Sequence, residues 1–388
     1  MKNKIIDIVV IGGGIQGAGV AQAAAAAGYQ VTLLEQSSLA AGSSSKSSKL
    51  IHGGLRYLEN LDIKLVRESL HERELLLKNA PELVHRIPFH IPVYHRTSRK
   101  PWLIRTGLSL YTILAGLSQS VRFRSLPENE WAQLDGLKTD GLKKVFQYWD
   151  AQTDDRKLTE AVMHSAKEMG AEFLCPTTFM KGEKNETGYK IHYKTGDKTN
   201  QLQARVVINA AGPWALSVAK QFTPELPVIA VENIQGAHIE LPGLLEKGCY
   251  YLEVPEDKRA VFAMPWHDKT LFGTTENQYT GDPAKVSPLQ QELDYLLQTY
   301  QFYFPERRAE ILDAWAGIRV LPTANGSSFK RSRETHLVTD SEERPTAVSI
   351  FGGKLTVYRA TAEQLMRVIQ KSLPQKTAKA DTRNLKLS

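Results

Sequence analysis

A chain of 388 residues, 42% hydrophobic and 23% charged, is long enough for a large core and two domains, and its composition excludes a disordered or membrane-embedded protein. The formal charge of +7 suits anionic substrates or an anionic lipid surface, and with no nucleic-acid motif or aromatic-basic platform beside it no nucleic acid is expected. Cys175 and Cys249 lack metal-site spacing and read as separate reduced thiols, and Met1–Lys4 leads directly into a strand instead of a cleavable apolar segment. A cytoplasmic chain without a metal or a spanning helix is the expectation.

Ile5–Ile11 (IIDIVVI) is a β-branched apolar run that reads as a buried strand. It enters Gly12-Gly13-Gly14-Ile15-Gln16-Gly17, with Gly12, Gly14 and Gly17 in the places of G-x-G-x-x-G. Ala18–Gly28 reads as a small-residue helix, Tyr29–Leu34 as a second strand, and Glu35 closes it. The first glycine permits a tight turn, the second lets the backbone approach a pyrophosphate, and the third lets helix pack on strand. The diphosphate rests on N–H groups at the helix start, while Glu35 accepts the hydroxyls of an adenosine ribose. A glycine triplet alone is a common turn. Strand, helix and closing acid together make it a dinucleotide unit, without saying which dinucleotide.

The serine cluster Ser43-Ser44-Ser45-Lys46-Ser47-Ser48 follows, and feeds Lys49-Leu50-Ile51-His52-Gly53-Gly54-Leu55-Arg56-Tyr57. Composition alone makes this a polar loop. Its place after the second strand puts hydroxyls and backbone amides near the cofactor's phosphates, with His52, Arg56 and Tyr57 looking into the cleft. Leu61–Ala80 has helical periodicity, and Phe89–Tyr94, with Pro88 and Pro92, reads as an edge or distorted strand. Pro101–Ser118 is the most apolar stretch. It is either a core helix or a monotopic contact, in which Trp102, Leu103, Leu108 and Leu110 enter a lipid interface flanked by Arg96, Arg99, Lys100 and Arg105.

Asp154–Gly170 returns to helical periodicity, and Gln203–Asn209 is a strand ending in the small residues Ala210-Ala211-Gly212. Val228–Pro322 holds short strand candidates broken by Pro, Gly and Asp, a texture that predicts a mostly antiparallel second sheet with one helix over Leu289–Tyr300. His238, Thr274, Thr275, Glu276 and Arg319 are its polar candidates. Ala347–Ile350 leads into Phe351-Gly352-Gly353-Lys354-Leu355-Thr356, another strand, glycine pair and helix start suited to an anion. From Gln375 the polar, basic tail reads as disordered.

Together, Ile11–Gly19, Ser47–Leu58, Asn209–Trp214 and Phe351–Arg359, with Gly273-Thr274-Thr275 and Gly281-Asp282-Pro283, resemble the FAD-dependent glycerol-3-phosphate dehydrogenases from about Ile5 to Gln370. The resemblance implies an α/β fold with a Rossmann-like FAD-binding domain and a second, mostly antiparallel-sheet substrate domain. It places the FAD-binding parts at 1–85, 146–220 and 321–372, the substrate parts at 86–145 and 221–320, and the tail at 373–388. It implies oxidation of sn-glycerol 3-phosphate to dihydroxyacetone phosphate with hydride passed to FAD, ubiquinone or menaquinone as acceptor, and a peripheral place on the cytoplasmic face of the inner membrane.

Carried onto this chain, the resemblance implies FAD contacts at Gly12, Gly14, Ile15, Gln16, Gly17, Glu35, Ser43, Ser47, Ser48, Lys49, Leu50, His52, Gly53, Ala211, Gly212, Gly353, Lys354, Leu355 and Thr356. Arg56, Tyr57, Arg319, Arg333 and Lys354 would bind substrate, and His52, Arg56, His238 and Arg319 would act in catalysis, with His52 or His238 as proton acceptor. Two departures stand out. Asn233-Ile234-Gln235 replaces the family's Lys before Gly-Ser-His, and family members continue into a helical C-terminal domain, so this chain reads as a short form. Substrate, acceptor and oligomeric state therefore stay open, with flavin-dependent amine and hydroxy-acid oxidases as rivals.

Overall fold

The computed structural model describes residues 5–60, 62–116, 122–323 and 334–387, apart from the side chains at 56, 59 and 60. Two sheets divide the described residues. The first holds β1 (Ile5–Ile11), β2 (Val31–Leu34), β7 (Glu172–Leu174), β8 (Thr178–Asn185), β9 (Gly188–Thr195), β10 (Lys198–Asn209), β11 (Phe222–Thr223), β18 (His336–Thr339) and β19 (Ala347–Phe351). Its centre is parallel, with β1 between β2 and β10, and the C-terminal half of β10 also pairs with β19. Their buried segments, Ile8–Ile11, Val31–Leu34 and Val206–Ile208, are mostly apolar because helices cover them. The helix α1 (Ile15–Ala26) has every residue but Gln16 buried, and its Ala/Gly surface lets α4 (Asp155–Glu168) and α7 (Tyr358–Ile369) pack close. A Cβ at Gly19 would lie 2.7 Å from the Tyr358 ring, so the seam tolerates no larger residue.

The second sheet holds β3 (Leu50–Ile51), β4 (Val84–Tyr94), β5 (Arg124–Leu126), β6 (Leu142–Thr153), β12 (Val231–Leu241), β13 (Cys249–Glu253), β14 (Ala260–Trp266), β15 (Lys269–Gly273), β16 (Asn277–Tyr279) and β17 (Asp313–Pro322). Among the described residues its strands pair antiparallel, except β13 with β4. The helix α6 (Gln290–Tyr303) closes one core over Tyr300 and Phe304. The helices α2 (Ile63–Asn79) and α3 (Pro101–Leu114) close another over Leu70, Leu108 and Phe146.

Three expectations change. The return to the first domain at 146 falls inside β6, which runs to Thr153 in the second sheet, so the crossing comes at α4. The strand with Pro88 and Pro92 is longer and interior, paired along its length with β6. Among the described residues β13 meets it only at Phe89 and His90, leaving most of that edge without a ladder for proline to break. The tail is ordered. Lys379 N–H donates to Ala26 O at 2.7 Å, Leu387 N–H to Asn79 O at 2.8 Å, and Leu387 is buried, so backbone bonds and one apolar anchor overcome the polar composition.

In α3 the apolar stretch has a buried side and an exposed side. Ile104, Leu108 and Tyr111 are buried, while Trp102 is 65%, Leu103 46% and Ile113 58% exposed. Leu108 is therefore a core residue and no candidate for a lipid contact. No described helix is long and apolar enough to cross a membrane.

Candidate active site

Parallel strands deliver their loops to one edge. Gly12–Gly17 follows β1, Glu35 follows β2, Ala210–Trp214 follows β10, and Gly352–Thr356 follows β19, all at strand carboxyl ends. Gly12 has φ +108°, and a Cβ there would lie 2.6 Å from Ala210 O. Ile15 N–H donates to Ser44 Oγ at 2.9 Å, drawing the serine loop onto the start of α1. The Glu35 carboxylate accepts from Gly13 N–H at 2.7 Å and Ser37 N–H at 2.8 Å, which fixes it beside the turn. Buried Asn209 shapes the third loop. It accepts from Ala211 N–H at 3.3 Å and donates at 2.8 Å to Ala215 O, where the short helix α5 (Ala215–Lys220) begins.

The 43–57 segment lies between the sheets. Ser43 donates to Ile318 O, a Cβ at Gly317 would meet Lys46 O at 2.6 Å, and His52 N–H donates to Thr356 Oγ1 at 3.3 Å. Lys49 is turned inward. Its ammonium meets Asp155 Oδ1 and Ser45 O, each at 2.6 Å, and lies 5.3 Å from the Trp266 ring centre and 5.6 Å from that of Trp315. Asp155 also accepts from Ser47 N–H at 2.9 Å, so this pair clamps the loop on α4. The Lys49 side chain thus serves the loop's shape. Lys354 Nζ sits 3.8 Å over the Tyr57 ring, a cation held on a π face.

From the second sheet, β12 and β17 face this segment in register, with Ile234 opposite Arg319 and His238 opposite Trp315. The Arg319 guanidinium donates to Glu276 Oε1 at 2.7 Å, Thr274 Oγ1 at 3.0 Å and Thr275 O at 2.9 Å. Gly236 makes room for it, since a Cβ there would fall 2.0 Å from its Nη2. His238 is buried, shares a 2.9 Å bond between Nε2 and Ser48 Oγ, and stacks on Trp315. Burial, then the charges of Arg319 and Lys49, push its pKa down to about 3, so the ring is neutral. Behind them the buried Glu292 carboxylate gathers Gln235, Thr275, Asn277 and Leu289 N–H.

The family model for FAD dependent oxidoreductases matches residues 7–359. The chain belongs to this family. Within it, the chain is 38% identical to the glycerol-3-phosphate dehydrogenase of Pseudomonas aeruginosa over 95% of its own length and 72% of that protein's. It is 36% identical to the D-erythritol 1-phosphate dehydrogenase of Brucella abortus over 95% of this chain and 74% of that one. The solved Bacillus halodurans glycerol-3-phosphate dehydrogenase, complexed with FAD, superposes with a TM-score of 0.75 at 27% identity, covering 97% of this chain and 68% of the other. The protein is an FAD-dependent oxidoreductase, and its residues fit the cofactor. A Cβ added at Gly14 would meet only Ser44 Oγ, at 3.0 Å, so the backbone there is open to a ligand. Gly212, at φ +54°, has no described atom within 4 Å of where its Cβ would stand. Gln16 Oε1 is buried without a hydrogen-bond partner among the described residues, beside the 353–354 backbone.

Of the sequence candidates, the described structure gathers Gly12, Gly14, Ile15, Gln16, Gly17 and Glu35 at one edge, and His52, Gly53, Tyr57, Lys354 and Thr356 beside them. Leu50 is a core residue of β3. Arg333 and the Arg56 side chain lie outside the described residues. Sequence reading named the serine cluster and Asn209–Trp214 without giving Ser44 or Asn209 a role of its own, and missed Asp155, Glu292 and Asp150. A charge inside the apolar run Phe146–Ala151 was the available signal for Asp150.

Proposed function

We propose that this flavoprotein oxidises sn-glycerol 3-phosphate to dihydroxyacetone phosphate and passes the electrons to ubiquinone or menaquinone. FAD, when bound, supplies N5 as acceptor of the C2 hydride. The observation that supports this reading best is the placement of two cations beside the segment that carries His52: Arg319, fixed as a fork by Glu276, the Thr274 hydroxyl and Thr275 O, and Lys354 over Tyr57. A phosphate dianion is well bound by an Arg fork and a Lys point charge.

Loss of the hydride leaves the C2 hydroxyl proton to be removed. His52 is the acceptor in this reading. His238, with Nε2 engaged by Ser48 and its pKa depressed to about 3, holds a proton too weakly and instead orients Ser48 and the loop. Arg319 stabilises the alkoxide that develops as the proton leaves, and the family resemblance would add Arg56 and Arg333 as substrate-binding residues. The exposed side of α3, with Trp102, Leu103 and Ile113, would rest reversibly on an anionic membrane surface, where a lipid quinone is reached.

Anaerobic addition of sn-glycerol 3-phosphate to the holoprotein should bleach the flavin's visible band stoichiometrically, with the enantiomer, glycerol, lactate and glycine inert. D-Erythritol 1-phosphate belongs in the same panel, because the Brucella relative is named for it. Bleaching by lactate or glycine alone would replace this reading with a hydroxy-acid or amine oxidation.

A further inference from the structure

The cavity lined by Gly212, Val231 and Phe351 adjoins the cofactor edge already described, and the Glu292 cluster acts through Arg319. A different cluster stands apart from both. Asp150 on β6, Arg73 on α2 and Tyr111 on α3 form a buried polar island in the apolar core between those elements. Arg73 Nη1 donates to Asp150 Oδ1 at 2.6 Å, and Tyr111 Oη donates to Asp150 Oδ2 at 2.7 Å. Burial holds the Tyr111 phenol protonated far above its ordinary range.

Taking a carboxylate and a guanidinium out of water costs more than a well-packed apolar trio would. Besides Arg73's bonds to Glu74 and Trp149 O and the edge contact of the Tyr111 ring with Tyr148, the island's side chains make one outward hydrogen-bonded link among the described residues, and it goes to the site. Gly53 N–H donates to Tyr111 Oη at 2.9 Å and to Asp150 Oδ1 at 3.3 Å. A Cβ at Gly53 would lie 2.4 Å from Tyr111 Oη and 2.6 Å from Leu70, so the backbone is pressed onto the island. The next residue, Gly54, has φ +74°, and a Cβ there would fall 2.1 Å from the Tyr57 ring that carries Lys354. On the other side of Gly53, His52 N–H reaches Thr356.

We propose that Tyr111 and Asp150 are positioning residues of the oxidoreductase: by holding Gly53 N–H they fix His52 on one side and Tyr57, with Lys354, on the other. Burial pushes the Asp150 carboxyl above its ordinary range, and Arg73 opposes that pull and holds the carboxyl in place. The inference rests on the reading of the 52–57 segment as part of the substrate site.

The test uses the FAD-loaded protein with Tyr111→Phe, which keeps the ring and removes only the hydroxyl, and Asp150→Asn, which keeps the shape. Hydrogen exchange of the 52–58 peptide should rise at least tenfold in Tyr111→Phe while peptides from β1 and α1 stay unchanged. The limiting rate of flavin bleaching per bound FAD should fall at least tenfold, with FAD content held and KM moved less than kcat. Faster exchange with an unchanged bleaching rate would mean a merely structural island and overturn the proposal, as would unchanged exchange. If Asp150→Asn does not fold, Tyr111→Phe decides alone. If no polyol phosphate bleaches the wild type, the proposed function falls, and positioning is judged by exchange and by the flavin's midpoint potential, which Tyr111→Phe should shift and a passive island would leave alone.

Discussion

The two sheets bury their polar groups in different ways. Around the parallel sheet the ligand-facing groups are backbone: glycines whose missing Cβ atoms make room, and amides at the start of α1. Around the antiparallel sheet the buried polar groups are side chains set in ion pairs, Arg73 with Asp150 and Arg319 with Glu276, and between the sheets Lys49 meets Asp155 of α4. Backbone sites are shaped by sterics, and one added methyl closes them. Paired side-chain sites are shaped by electrostatics, and removing one partner leaves a buried charge poorly compensated. Damage on the first side should therefore appear as lost FAD, and on the second as lost turnover or stability with FAD retained.

Gly12→Ala is the most severe break, because it adds a methyl 2.6 Å from Ala210 O at φ +108°. FAD affinity should fall roughly 10- to 100-fold, for a strain of about 1–3 kcal/mol, read as flavin content after dialysis. On the other side, Arg319→Met takes the guanidinium away from Glu276, which is 5% exposed at its side chain, and should cost about 3 kcal/mol in urea unfolding. Arg319→Met with Glu276→Leu should regain much of that stability and none of the bleaching by a polyol phosphate. Recovery of bleaching in the double variant would end the case for Arg319 as an anion fork.

A pH scan sharpens the contrast, since His238 on β12 and His90 on β4 both belong to the antiparallel sheet. Burial lowers them from an ordinary 6.5 to about 3 and about 4. Both stay neutral when folded and take up protons when unfolded, so their stabilisation is complete above pH 6.5 and is lost as pH falls toward the folded values. The slope for each is about 1.4 kcal/mol per pH unit, and His90→Asn should flatten its share between about pH 6 and 4. Smallest of all is Trp102→Ala on the open side of α3. It should change stability by less than about 0.5 kcal/mol, yet reduce retention on liposomes of anionic lipid. Equal retention would remove α3 as the lipid contact.

What the sequence decided by itself was local in the chain. The strand, glycine turn, helix and closing acid of Ile5–Glu35 are neighbours in sequence and in space, so periodicity and glycine spacing carried the first half of the site. The strand, glycine pair and helix start of 351–356 were read the same way, whereas the roles expected of 52–57 came from its place after the second strand and from the family resemblance. The tertiary structure decided what distant residues do to one another. Pairing β12 with both β17 and β16 brings Glu276 onto the Arg319 guanidinium; antiparallel β3 and β6 bring Asp150 beside Gly53; and the tail docks by Lys379 and Leu387, with Gly28 leaving room for the Thr377 carbonyl. Lys49 marks the boundary between the two. Its place in the serine loop pointed to the cofactor, but an unpaired Asp155 would be costly in that core, so the side chain turned inward to meet it.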